Sequence, residues 1–227
     1  MNLPNKITLS RIILIVAMII GIFILGIIET IPEARFIAPD LGDSRINLIY
    51  LIICVIFIIA ALTDYLDGHL ARKLNLVTDF GKFLDPIADK LLNDATMIFL
   101  LVPQIYAPNQ RSNPISLTIL AVCVIVMIAR DLVVDGLRLI AVKNNVVIAA
   151  NYFGKAKTVL QMIAIPMLLL NDWPFHYFDN QWPEPLQISN LFFYAATIMS
   201  LVSGVIYVVQ NKQVFKGEKW LFNLLNY

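Results

Sequence analysis

Four aspartates carry the chemical interest of this chain: Asp64, Asp67, Asp85 and Asp89, within the stretch TDYLDGHLARKLNLVTDFGKFLDPIADK from Thr63 to Lys90. On a helix, residues three or four apart share a face, so Asp64 and Asp67 form one pair and Asp85 and Asp89 another. The flanking segments are rich in Ile, Leu, Val and Phe, and carboxylates at the edge of hydrocarbon are costly unless they face water or a cation. Held in pairs they also repel, which drives one of each pair to take up a proton. A divalent ion removes both costs. Oxygen ligands without Cys or His suit a hard ion, Mg²⁺ or Mn²⁺, rather than zinc. Two such ions about 3.5–4 Å apart can clamp the attacking and leaving oxygens of a displacement at phosphorus.

The elements that must position these groups are apolar. Of the 227 residues, 59% are hydrophobic and the mean hydropathy is +0.77, which predicts an all-α integral membrane protein. Apolar runs at 12–28, 46–62, 91–102, 115–129, 159–170 and 188–209 predict six transmembrane helices in a single domain over 1–227, with the aspartate motif at 64–89. The third and fifth runs fall short of the roughly 20 residues needed to cross hydrocarbon, so the polar turns 83–90 and 155–158 must complete them, shielded from lipid. Met1 to Ser10 is polar, carries Pro4, and is expected as a short interfacial helix before the first span. Lys6 and Arg11 before an apolar run resemble a signal peptide, but the run ends in GIIETIPEARF without a small-x-small cleavage pattern, so it reads as a retained span.

Charge sets the orientation. If the spans alternate, the side holding both termini and the loops after spans two and four carries 14 of the 17 basic residues, leaving Arg35, Arg45 and Arg111 opposite. By the positive-inside rule that side is cytoplasmic. The embedded polar residues cluster at the same ends of spans two to five, which predicts a polar cavity open to the cytoplasm and closed outside. That is poor for a through-channel and suits an enzyme joining a lipid to a soluble molecule. Cys54 and Cys123 lie within apolar runs and read as inert thiols. His69 and His176 take no catalytic role, and nothing points to nucleic acid. The charged tail with Lys212, Lys216 and Lys219 fits an anionic membrane surface.

The acidic stretch fits Asp-x2-Asp-Gly-x2-Ala-Arg-x8-Gly-x3-Asp-x3-Asp at Asp64, Asp67, Gly68, Ala71, Arg72, Gly81, Asp85 and Asp89. This pattern resembles the signature of the CDP-alcohol phosphotransferases, membrane enzymes that move a phosphatidyl or related group from a CDP-linked donor to an alcohol and release CMP. On that resemblance Asp64, Asp67, Asp85 and Asp89 are metal ligands for two Mg²⁺ or Mn²⁺ ions. Asp89, one turn beyond Asp85 on the same face, is also the general base. Asp64, Gly68, Arg72 and Gly81 would hold the CDP donor: the glycines let a nucleotide approach the backbone, and Arg72 offers a fork to a phosphate oxygen. Asn93, on the Asp85 and Asp89 face, is a candidate supporting residue; Asp94 is unassigned.

Arg130, Arg138, Lys155 and Lys157 place four cations at the cytoplasmic ends of spans four and five, more than Asp131 and Asp135 need. A phosphorylated acceptor would explain the surplus; so would positive-inside anchoring. PNKITLSR, GKFLDPIADKLL, and ARD followed by GLR and GKAKTVLQ resemble the bacterial branch of the family whose acceptor is glycerol 3-phosphate, over most of residues 2–165. The expectation is transfer of the phosphatidyl group from CDP-diacylglycerol to glycerol 3-phosphate in the bacterial cell membrane. The resemblance also implies a homodimer. The alternatives are another acceptor (serine, inositol phosphate or phosphatidylglycerol) or, in a different class, a cation-coupled transporter using the carboxylates as its ion site.

Overall fold

The computed structural model describes residues 3–29, 46–73, 79–102, 113–143, 152–179 and 181–211. They form α1 (Leu3–Glu29), α2 (Leu48–Lys73), α3 (Asp79–Leu101), α4 (Pro114–Lys143), α5 (Tyr152–Leu169), the single turn α6 (His176–Asp179), a 3-10 turn (Glu184–Leu186) and α7 (Ile188–Gln210). Among the described residues there is no strand. Residues 5–24, 114–143 and 188–210 are long and apolar enough to cross a membrane, and 48–64 is a shorter apolar helix. These are the helices of a membrane protein.

Local chemistry explains the boundaries. Asn47 accepts the backbone N–H of Ile49 on its side-chain Oδ1 at 3.0 Å, capping the first turn of α2. Pro86 lies two turns inside α3, and Pro166 lies inside α5. After α5 the chain turns through Asn171 and Asp172, whose φ angles of 54° and 65° lie in the left-handed region that these two residue types tolerate better than most. The polar turns expected to complete the third and fifth runs belong to α3 and α5. The N-terminal residues differ from expectation: α1 is continuous from Leu3, with no separate interfacial segment. Pro4 falls in the first turn, where its missing N–H is not needed, and nothing after it breaks the helix.

Burial is inverted relative to a water-soluble protein. Phe23, Ile125, Leu139 and Val205 are exposed, whereas Asn5, Thr8, Arg11, Thr96, Ser200 and Ser203 are buried. That is the pattern expected when the surroundings are hydrocarbon and polar groups must find partners inside.

The chain divides into two compact units. The first comprises Met1–Pro114 and Ile165–Gln181, the second Ile115–Ala164 and Trp182–Tyr227. In the first, α1 packs on α2 and α3, and α2 on α3. Ile15, Phe57, Ala88, Leu92 and Met97 are buried there, and Tyr50 tilts against Phe99 with ring centroids 5.1 Å apart. An aliphatic cleft of about 280 Å³ lies along α1 and α2, lined by Leu14, Met18, Gly21, Ile49 and Ile53 among others. In the second unit, α7 buries small residues at four-residue intervals, Ala196, Ser200 and Gly204, the spacing that lets membrane helices approach closely. Thr197 donates to the Met127 sulfur of α4 at 3.4 Å, and Tyr207 is buried with Val134 and Leu137.

Because Asn47 is buried and caps α2 through its side chain, Asn47→Ala should destabilise the protein by about 1 kcal/mol, read as a lowered unfolding midpoint in detergent. Asn47→Asp, which keeps the acceptor, should recover most of it.

Candidate active site

Three helices of the first unit meet at the motif. From α1, Arg11 Nη1 is ion-paired with Oδ1 of Asp64 on α2, while its Nη2 lies 4.0 Å from Oδ1 of Asp85 on α3. Thr8, one turn before Arg11, donates to the same Asp85 oxygen at 3.0 Å. The Arg11 side chain is 1% exposed, whereas those of Asp64 and Asp85 are 41% and 46% exposed. A sealed guanidinium therefore underlies two carboxylates that open outward. Arg11 Nε and Nη2 are buried without a hydrogen-bond partner, so the guanidinium is held by its charge more than by geometry.

One turn further along α3, Asp89 Oδ1 accepts from Asn93 Nδ2 at 2.9 Å. The same amide also donates to the Asp89 carbonyl at 2.9 Å, which fixes the Asp89 side chain over its own helix. Gly81 is buried in the first turn of α3. Asp67, Gly68 and Arg72 lie in the final turns of α2, but their side chains fall outside the described residues. Among the described residues no three carboxylate, imidazole or thiol groups lie together as a metal set; the described pair that does converge is Asp64 with Asp85.

That convergence fits a hard cation. Two carboxylates from different helices already share one positive group, both are open to solvent, and every donor is an oxygen.

The second unit builds a separate basic cluster. Asp131 accepts from Lys157 Nζ at 2.7 Å through Oδ2 and from Arg130 Nη1 at 2.8 Å through Oδ1. Arg130 Nη2 also donates to Ser203 Oγ on α7 at 2.6 Å. Two cations against one anion leave this group one charge positive. Arg138 donates from Nε to the Tyr207 hydroxyl at 2.9 Å and stands 5.6 Å from that ring's centroid. Lys155 is exposed. Of the four cations singled out in the sequence, the structure thus brings Arg130 and Lys157 together and sets Arg138 on an aromatic support.

Sequence reasoning missed several partners. Asn5, Thr8 and Arg11 are spaced by three residues and are all buried, a polar stripe at helical period that marks one inward face of α1. On α7, Ser203 and Tyr207 are separated by four residues and support Arg130 and Arg138. No signal in that apolar run singles out either residue.

Comparison with known proteins agrees with the motif. The family model described as CDP-alcohol phosphatidyltransferase matches residues 1–209, and the chain belongs to that family. It is therefore an enzyme, a transferase, rather than an ion-coupled transporter. A Bacillus subtilis (strain 168) protein named CDP-diacylglycerol–glycerol-3-phosphate 3-phosphatidyltransferase is 41% identical, over 95% of this chain and 97% of its own length. A Mycoplasma pneumoniae protein of the same name is 35% identical over 96% of this chain and 89% of its own length. A rice protein named cardiolipin synthase (CMP-forming) is 41% identical over 50% of this chain and 35% of its own length.

Removing the shared guanidinium should leave Asp64 and Asp85 facing each other uncompensated. With chelator present, Arg11→Gln should lower stability by about 1–2 kcal/mol, a value reduced because both carboxylates are partly exposed. Added Mg²⁺ or Mn²⁺ should raise the variant's unfolding midpoint more than the wild type's.

Proposed function

We propose that this protein transfers the phosphatidyl group of CDP-diacylglycerol to glycerol 3-phosphate, giving phosphatidylglycerol phosphate and CMP. The observation that carries this reading is the near-full-length similarity to proteins named for that reaction, joined to the meeting of Asp64 and Asp85 on one cation. The enzyme works as a homodimer in the bacterial cell membrane, with six spans and with its termini and polar cavity on the cytoplasmic side. The distribution of Lys and Arg supports that orientation.

The residues divide the work. Asp64, Asp67, Asp85 and Asp89 hold two Mg²⁺ or Mn²⁺ ions, which supply neutralisation of the donor's pyrophosphate. Gly68 and Gly81 let the nucleotide approach the backbone, and Arg72 binds a phosphate oxygen. Asp89, steadied by Asn93, takes the proton from the acceptor hydroxyl. The freed oxygen attacks the β-phosphorus, and the bond from that phosphorus to the bridging oxygen breaks so that CMP leaves. Arg130, Arg138, Lys155 and Lys157 form the site for the acceptor's phosphate. The donor's chains remain in lipid, where the aliphatic cleft along α1 and α2 offers them an apolar wall.

CMP release from CDP-diacylglycerol should be fastest with glycerol 3-phosphate when that acceptor is compared with serine, inositol phosphate and phosphatidylglycerol; a faster rate with any other overturns the acceptor. Chelation should stop the reaction and added Mg²⁺ or Mn²⁺ restore it. Asp89→Asn should lower kcat by about 10²–10⁴, and a near-normal rate would remove it as the base. Replacing Arg138 or Lys155 by Gln should raise KM for the acceptor more than for the donor.

A further inference from the structure

Arg11 has more donors than partners. Its Nη1 is ion-paired with Asp64 Oδ1, yet Nη2, 4.0 Å from Asp85 Oδ1, is buried without a hydrogen bond. A donor left unpaired out of water is costly, and a carboxylate free to move would close that gap to the roughly 2.8 Å of a charge-assisted pair. Thr8 stands in the way. It is 2% exposed, lies one turn before Arg11 on the same helix, and donates its hydroxyl to the same Asp85 oxygen at 3.0 Å. Every contact of Asp64 and Asp85 with these α1 side chains falls on Oδ1. If Asp85 moved fully onto the guanidinium, a divalent ion would have to break that pair before it could bind.

We infer that Thr8 is a positioning residue that withholds Asp85 from Arg11, so that the carboxylate stays available to a divalent cation. This deepens the function proposed above and rests on its assignment of Asp64 and Asp85 to the ions. The unpaired Nη2 is the cost of that availability. All three helices involved belong to the first unit, and Thr8 acts through Asp85 without touching the ion.

The test uses the full-length protein in detergent, stripped of metal, and reads Mn²⁺ binding by electron paramagnetic resonance with no substrate present. If the wild type binds no Mn²⁺, the proposed metal-dependent function fails and takes the inference with it. If it binds, Thr8→Val, which keeps the shape and removes the hydroxyl, should raise the Kd for Mn²⁺ about tenfold, because the ion must now break one more charge-assisted pair. Thr8→Ser should restore wild-type affinity. With chelator present, the unfolding midpoint of Thr8→Val should not fall, since Asp85 gains Nη2 as it loses the hydroxyl. Arg11→Met removes the competing charge and every donor; in that background Thr8→Val should leave the Kd unchanged. Wild-type affinity in Thr8→Val, or an equal loss in both backgrounds, overturns the inference. So does a loss that comes with a lowered midpoint and is not restored by serine.

Discussion

Negative charge at the border of hydrocarbon needs a positive partner, and the first unit is arranged around that requirement. Asp64 and Asp85 come from different helices and would repel each other if nothing stood between them. Arg11 does stand between them, buried to 1% exposure, and Thr8 from the same helix adds a hydrogen bond to Asp85. This constraint explains why α1 must pack against both α2 and α3, and why its buried face is polar at one end and aliphatic from Ile15 onward. The carboxylates are left 41% and 46% exposed while the guanidinium beneath them is sealed. An arrangement with the aspartates sealed and the arginine exposed would offer the opposite chemistry.

The second unit solves a related problem with the sign reversed. Arg130 and Lys157 are both drawn to Asp131, and Arg138 rests on Tyr207. A run of small residues on α7, including Ser200, Ser203 and Gly204, lets long basic side chains lie against that helix. Small and hydroxyl-bearing residues serve two ends in a membrane protein. They allow close packing where no hydrophobic drive exists between helices, and they satisfy polar groups that lipid cannot.

Much of this architecture is legible in the order of the residues. Helices α1, α2, α4 and α7 follow from long apolar runs, and the polar completion of α3 and α5 follows from the thickness of a bilayer. The family follows from the aspartate motif, because eight residue types at fixed spacings rarely fall together by chance. The first ten residues are where expectation and structure part, because a polar composition looks the same whether it faces a headgroup or a protein interior. The continuous helix with Asn5, Thr8 and Arg11 buried on one face distinguishes the two.

By itself, the sequence determined that the chain lives in a membrane, that it carries the aspartate motif of its family, and that cations gather at the ends of α4 and α5. Composition and periodicity encode these because each depends on residues close together in the chain. Only the tertiary structure decided that Arg11 joins Asp64, 53 residues away in the sequence, to Asp85, that Lys157 and Arg130 share Asp131, and that Ser203 and Gly204 seat an arginine 73 residues away from Ser203. Such pairings are chosen by helix packing, and in a chain where most positions are Ile, Leu or Val, a single serine or glycine carries no mark of its partner until the helices are side by side.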